Sequence, residues 1–325
     1  MNQSLFKQLH EQGLVSAASY EKIKAGNEAK NFSLHWEITT ILYLGVLLLT
    51  TGLSVLVYKN IDTVGHQAIL AFIALASAGG FIYCFKRKLP FSTSKVESPN
   101  IAFDYILLLA CLLFVTFIGY IQYQYNVFGN RFGLVTFIPT VVLFFCAYFF
   151  DHLGILSLAI TNLCAWAGIT VTPLDILKAN DFNSNTIIIT GIILGVGLIG
   201  AGILTRINDL KKHFAFTFTN FGMHLLFIST LAAMFEFENI YLLWFIALAI
   251  IAAYFYREAL RTKSFYFLLV LTLYFYTGTC YVVIRILFST IPDIGGLYLA
   301  CFYFIGSAVV LIRFLIKMNK KLKSA

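Results

Sequence analysis

Ten long apolar runs succeed one another along this chain, and almost every Lys and Arg lies on one side of them. The runs fall near residues 38–58, 66–85, 103–121, 133–150, 153–172, 186–204, 215–235, 240–256, 265–288 and 297–316. Each is close to the ~20 residues that a helix rising ~1.5 Å per residue needs to cross the hydrocarbon core of a bilayer. An even number of crossings leaves both termini in one compartment. With that compartment taken as the cytoplasm, 18 of the 23 Lys and Arg lie inside. Only Lys59, Arg131 and Lys178 fall outside, and Arg285 and Arg313 lie within runs. A bias of this size sets the orientation, and adding or removing one crossing would destroy the alternation.

The sequence therefore predicts an all-α, polytopic bundle of about ten transmembrane helices with cytoplasmic N- and C-termini. A bacterial cytoplasmic (inner) membrane is the expected location. Hydrophobic residues make up 60% of the chain and charged residues 12%, which no soluble domain of this length shows. The formal charge of +8 is the inside excess facing an anionic leaflet and gives no reason to expect nucleic acid as a partner. All six cysteines, Cys84, Cys111, Cys146, Cys164, Cys280 and Cys301, fall inside the predicted runs without CxxC spacing, so neither disulfides nor a metal site is expected.

Three regions follow. Residues 1–37 read as a cytoplasmic helical hairpin, with Leu5, Phe6, Leu9 and Leu14 on the first helix, Ser16 as a cap, and Tyr20 and Ile23 on the second. Residues 38–316 are the bundle, and 317–325 a basic cytoplasmic tail. The loop 173–185 is the longest on the outer side, and the Pro- and Ser-containing stretch 86–100 is an inner linker. No loop is large enough for a soluble catalytic domain. A five-plus-five division allows an inverted repeat. Its only echo sets Gly45 and Gly52 against Gly191 and Gly202, at different spacings.

Part of the chain resembles a known family. The resemblance rests on Gly13-Leu14-Val15-Ser16 in the polar leader, Tyr58-Lys59-Asn60-Ile61-Asp62 after a glycine-containing span, and an Ala-rich second span. It continues in Ile118-Gly119-Tyr120-Ile121-Gln122-Tyr123-Gln124-Tyr125-Asn126, near the end of the third span. These segments resemble the bacterial predicted-membrane-protein family called domain of unknown function 2157. Asn60 and Asp62 fit the family's turn, whereas Ile61 stands where Trp is common. The resemblance implies a membrane location and this architecture, and it carries no catalytic residues.

Polar side chains at membrane depth are costly, so they mark candidate sites. His224 lies near the centre of the seventh span, with Asn220 and Thr217 on the same helix face. Asn162 lies near the middle of the fifth span, within reach of His224 if those two helix faces meet. Such a pair reads either as a substrate or proton site or as interhelical glue. On the ninth span, Tyr274, Thr277, Tyr281 and Arg285 form a polar stripe rising outward. It is either the wall of an outer cavity with Arg285 attracting an anion, or an aromatic belt with Arg285 paired to Asp293, Glu236 or Glu238.

Gly191, Gly195 and Gly202 share a face of the sixth span and read as packing positions. The GxGxxG of Gly195 to Gly200 lacks a preceding strand and is not a dinucleotide site. Asp104, Asp151 and His152 lie at the inner boundary, where Asp151 is expected to cap the fifth helix or contribute to a gate. The outer patch Gln122 to Asn126 with Arg131 reads as a headgroup or glycan site, or as a wet loop.

Neither a triad, nor paired carboxylates, nor a metal-ligand spacing is present, so no catalytic residue, cofactor or metal is assigned. The functional expectation is a transporter- or permease-like protein with a polar midplane site at His224, Asn220, Asn162, Arg285, Tyr281, Thr277 and Tyr274. The alternative is a non-transporting scaffold or envelope-assembly protein acting through its N-terminal hairpin. The expected partners are the lipid bilayer and an unknown small molecule or membrane protein.

Overall fold

The computed structural model describes Gln12, Ser16 and residues 34–171 and 185–324. The expected N-terminal hairpin and nearly all of the 173–185 loop therefore lie outside the described residues. Ten helices are long and apolar enough to cross a membrane, and their sequence positions match the ten predicted runs. We number them α1 Leu34–Val64, α2 His66–Arg87, α3 Ile101–Tyr125, α4 Phe132–Phe150 and α5 Leu153–Val171. The remainder are α6 Asn185–Ile207, α7 Phe214–Glu236, α8 Tyr241–Arg261, α9 Phe265–Thr290 and α10 Ile294–Ser324.

The chain divides into two compact units, Met1–Ile69 and Leu70–Ala325. Within the first, Thr50, Thr51 and Ser54 turn their hydroxyls onto carbonyls three or four residues back in α1. This satisfies polar groups that hydrocarbon would leave unpaired. Gly65, at φ +79°, separates α1 from α2 in a conformation that favours glycine.

In the second unit α7 is the central helix, with well over half of its apolar window buried. Lipid tails are as apolar as Leu, so helix association here depends on close contact and hydrogen bonds rather than on escape from water. The contact between α6 and α7 shows this directly. A Cβ added at Gly222 would sit 2.8 Å from the Gly195 carbonyl oxygen, and one at Gly202 would sit 2.7 Å from the Thr219 hydroxyl. Gly191 likewise abuts Ser229, so the three glycines expected to pack all face α7.

On its other side, α7 supplies Met223, Phe227, Leu231 and Met234 to a core completed by Leu248 and Phe255 of α8 and Phe267, Leu268 and Leu271 of α9. Met318 and Leu322 join this core from the end of α10. Residues 317–324 continue α10, because this lysine-rich stretch holds no Gly or Pro and places Leu315, Met318 and Leu322 at helical spacing. The pair α4 and α5 is joined by Asn162, whose amide donates to the Thr136 carbonyl at 2.6 Å and the Thr140 hydroxyl at 2.8 Å.

Candidate functional site

Asn220 and His224, one turn apart on α7, meet Tyr266 and Tyr274 of α9. His224 lies 2.9 Å from each phenol, Nδ1 to Tyr274 and Nε2 to Tyr266, and the Tyr266 hydroxyl donates to Asn220 Oδ1 at 2.8 Å. Valence fixes the direction of this chain. The one proton of Tyr266 goes to Asn220, so its oxygen accepts from His224 Nε2–H. Neutral His224 then presents a lone pair at Nδ1, which accepts from the Tyr274 hydroxyl.

Aromatic rings hold the chain in place. Tyr274 stacks on Phe227 at 5.1 Å and 10°, and Phe216 lies against Tyr266. The chain is not sealed, for Tyr266 remains 40% exposed and Phe216 51%. Four polar groups strung along a pair of long apolar helices are thus bonded to one another yet open on the flank.

The remaining candidates go elsewhere. Asn162 is engaged by α4, so the anticipated bond between Asn162 and His224 does not form. Thr277 donates to the Leu273 carbonyl of its own helix, which divides the α9 stripe into two parts. Tyr274 belongs to the His224 chain, whereas Tyr281 and Arg285 belong to a cluster at the opposite end of α9 from Ser264. There Arg285 donates to the Tyr281 hydroxyl at 2.6 Å and to Glu238 at 3.0 Å, with Tyr241 4.8 Å beneath its guanidinium. Among the partners considered for Arg285, Glu238 is the one engaged. It already compensates the charge that would draw in an anion.

The patch Gln122 to Asn126 is also more self-contained than expected. The Gln122 amide donates to Asn126 and to the Gly129 carbonyl, and its oxygen accepts from the Phe128 N–H. Gln122 therefore staples the α3–α4 turn, and Tyr123 is left exposed.

At the other end of the second unit lies a cluster that the sequence only half revealed. Asp151 adopts φ +58° and closes α4 as its C-cap, so its carboxylate does not cap α5 as expected. It is held by Lys211 at 3.0 Å, by His213, and by the Val96 N–H. The carboxylate and the Lys211 side chain are each 1% exposed. Lys211 also donates its backbone N–H to the Thr93 carbonyl. The linker 88–99, the α4–α5 corner and the α6–α7 turn are thereby bound to one carboxylate.

His152 takes the capping role instead, its Nδ1 accepting from the Ile155 N–H at 3.1 Å. Its Nε2 faces Asp104 at 3.8 Å without a hydrogen bond. Burial pushes the His152 imidazole below its ordinary value, an effect that Asp104 opposes. Nearby, Arg206 and Glu258 join the ends of α6 and α8. Nothing in the α6–α7 loop sequence distinguished Lys211 and His213 from other basic inner residues. Their buried partner became visible only when the loop folded back on Asp151.

No curated protein and no solved structure matches the chain. Residues 7–156 match the family described as Predicted membrane protein (DUF2157), in agreement with the resemblance of the leader and first three spans.

Proposed function

We propose that this multi-helix membrane protein is a permease-type protein whose binding site is the α7–α9 chain of Asn220, Tyr266, His224 and Tyr274. The observation that carries this reading is the openness of the chain. Interhelical glue is favoured when its polar atoms are withdrawn from hydrocarbon, yet Tyr266 is 40% exposed. The Asn220 amide hydrogens and the lone pairs of the Tyr274 hydroxyl remain available to a ligand. Among the described residues no cation or carboxylate joins this hydrogen-bonded chain, so an ionic ligand would enter uncompensated. The site therefore suits an uncharged, hydrogen-bonding ligand.

The ion clusters at the two ends fit the same reading. With the Asp151 end in the cytoplasm, as the Lys and Arg bias requires, the Asp151–Lys211–His213 and Arg206–Glu258 groups close the inner side. Arg285 and Glu238 stand at the outer side. Movement of a ligand past the chain would require one of these closures to open at a time.

Solid-state nitrogen NMR of histidine-labelled protein in bilayers tests the site, with His224→Gln identifying the signal. The proposal requires a neutral imidazole protonated on Nε2 whose proton exchanges with deuterated buffer. A proton protected as strongly as the amides of the α7 core would make the chain sealed glue, and the scaffold reading would take its place.

A further inference from the structure

We infer that a second site, separate from the His224 chain, binds one acyl chain of a membrane lipid in a cavity between α5, α6 and α7. The cavity, which opens to the surface, has about 250 Å³ on the side of α7 that faces α6. Its polar lining consists of Ser229, Thr190 and Cys164, and the rest is Ala, Gly, Ile and Leu.

Size and lining choose the occupant. At ~30 Å³ of liquid volume per water, the space would take about eight waters, each needing two to four polar partners. Two hydroxyls and a thiol cannot supply them. An apolar cavity of this kind stays dry and is filled by hydrocarbon; engineered cavities of ~150 Å³ already hold a benzene. All three helices are long and apolar enough to span a membrane, so lipid tails are the hydrocarbon at hand.

Ser229 supplies an independent sign. In these helices Thr230, Thr205, Thr161 and Ser157 satisfy their hydroxyls on their own backbone. Ser229 is 7% exposed and makes no such bond, although it sits beside Thr230. Its oxygen points toward Gly191, where a Cβ would come within 2.2 Å of it, so glycine at 191 keeps this wall open. A hydroxyl that opens onto an apolar cavity without a protein partner is costly there and finds its partner in a bound molecule. A lipid ester carbonyl at the mouth of the cavity accepts from Ser229 while its chain fills the apolar part.

The full-length protein is reconstituted in phosphatidylethanolamine–phosphatidylglycerol vesicles containing a trace of phosphatidylcholine with a diazirine in one acyl chain. After irradiation, adducts are located by peptide mass spectrometry. The proposal expects adducts on Leu225, Ile228 and Cys164 above the level on the exposed α10 residues Phe302 and Ile305. Two fillers, Ala232→Leu on α7 and Ala167→Leu on α5, occupy the void from different helices. A filler that keeps the wild-type melting temperature should reduce the cavity adducts to the α10 level while leaving the α10 adducts unchanged. Cavity adducts no more frequent than those on α10, or adducts that persist in a folded filler, would overturn the proposal.

Discussion

Replacing Asp151 by asparagine removes one charge and little volume, and it leaves the Lys211 ammonium 1% exposed in the interior of the corner. The remaining contacts of Lys211 are the Ser94 carbonyl at 3.4 Å and the face of Phe91 at 5.0 Å. At the 3.0 Å separation and an effective dielectric of ~20, the lost attraction is about 5 kcal/mol. Neither partner is exposed enough for solvent to screen that attraction. The stranded charge regains only part of its hydration by local opening, so Asp151→Asn should cost about 3–5 kcal/mol, the range for breaking a buried pair. Lys211→Met removes the other charge and keeps the bulk, leaving Asp151 with His213 and the Val96 N–H. The double variant should be more stable than Asp151→Asn alone, because no ammonium is then stranded. The assay is unfolding by sodium dodecyl sulfate in maltoside micelles, followed by circular dichroism, for the wild type, both single variants and the double. An Asp151→Asn loss below about 1 kcal/mol, the range of an exposed pair, or strictly additive costs, would refute the view that this carboxylate binds the corner together.

Three further outcomes follow from the same geometry. Gly195→Ala places a Cβ 3.0 Å from the Leu226 nitrogen and should destabilise the fold by about 1–3 kcal/mol. Gly197→Ala, which meets nothing within 4 Å, should leave stability unchanged or raised in the same assay. Asn162→Ala removes two donors to α4 and should cost about 1 kcal/mol while leaving the His224 nitrogen spectrum as it is.

His152 gives a pH dependence. Its folded value lies below the ordinary 6.5, so the unfolded state binds the proton more readily and stability rises with pH. The contribution is complete above 6.5 and is lost as pH falls through the depressed value, when Nδ1 can no longer accept from Ile155. Asp104 limits the loss. His152→Asn keeps a capping oxygen without the titration, and unfolding curves across this range should show a shallower pH slope for the variant than for the wild type.

The ten crossings were legible because each is written in about twenty consecutive residues, with the Lys and Arg bias as an independent check. The packing role of Gly191, Gly195 and Gly202 was legible from their shared helix face. Partnerships between helices were not. His224 reads as a polar residue at depth, but Tyr266 is the second residue of its span, where it reads as an interfacial aromatic. Its bond to His224 depends on how α7 and α9 pack. The Asn162 amide was set against His224, and only the pairing of α4 with α5 gave it Thr136 and Thr140 instead. Asp151 was assigned to the wrong helix because a residue between two spans caps either, and the choice turns on a positive φ that a non-glycine residue does not announce. The basic tail read as a tail from its charge, whereas Met318 and Leu322 give it an apolar side that continues the helix.

The binding role of the α7–α9 chain is tested most directly by thiol accessibility at position 224. In a background lacking the six native cysteines, His224→Cys is treated with a membrane-impermeant maleimide in intact cells and in inverted vesicles, with Asn126→Cys as the loop control. The account predicts labelling of residue 224 from at least one side, faster when the Arg285–Glu238 or the Asp151–Lys211 pair is broken. Protection from both sides in every one of these backgrounds, with Asn126→Cys reacting normally, would contradict it.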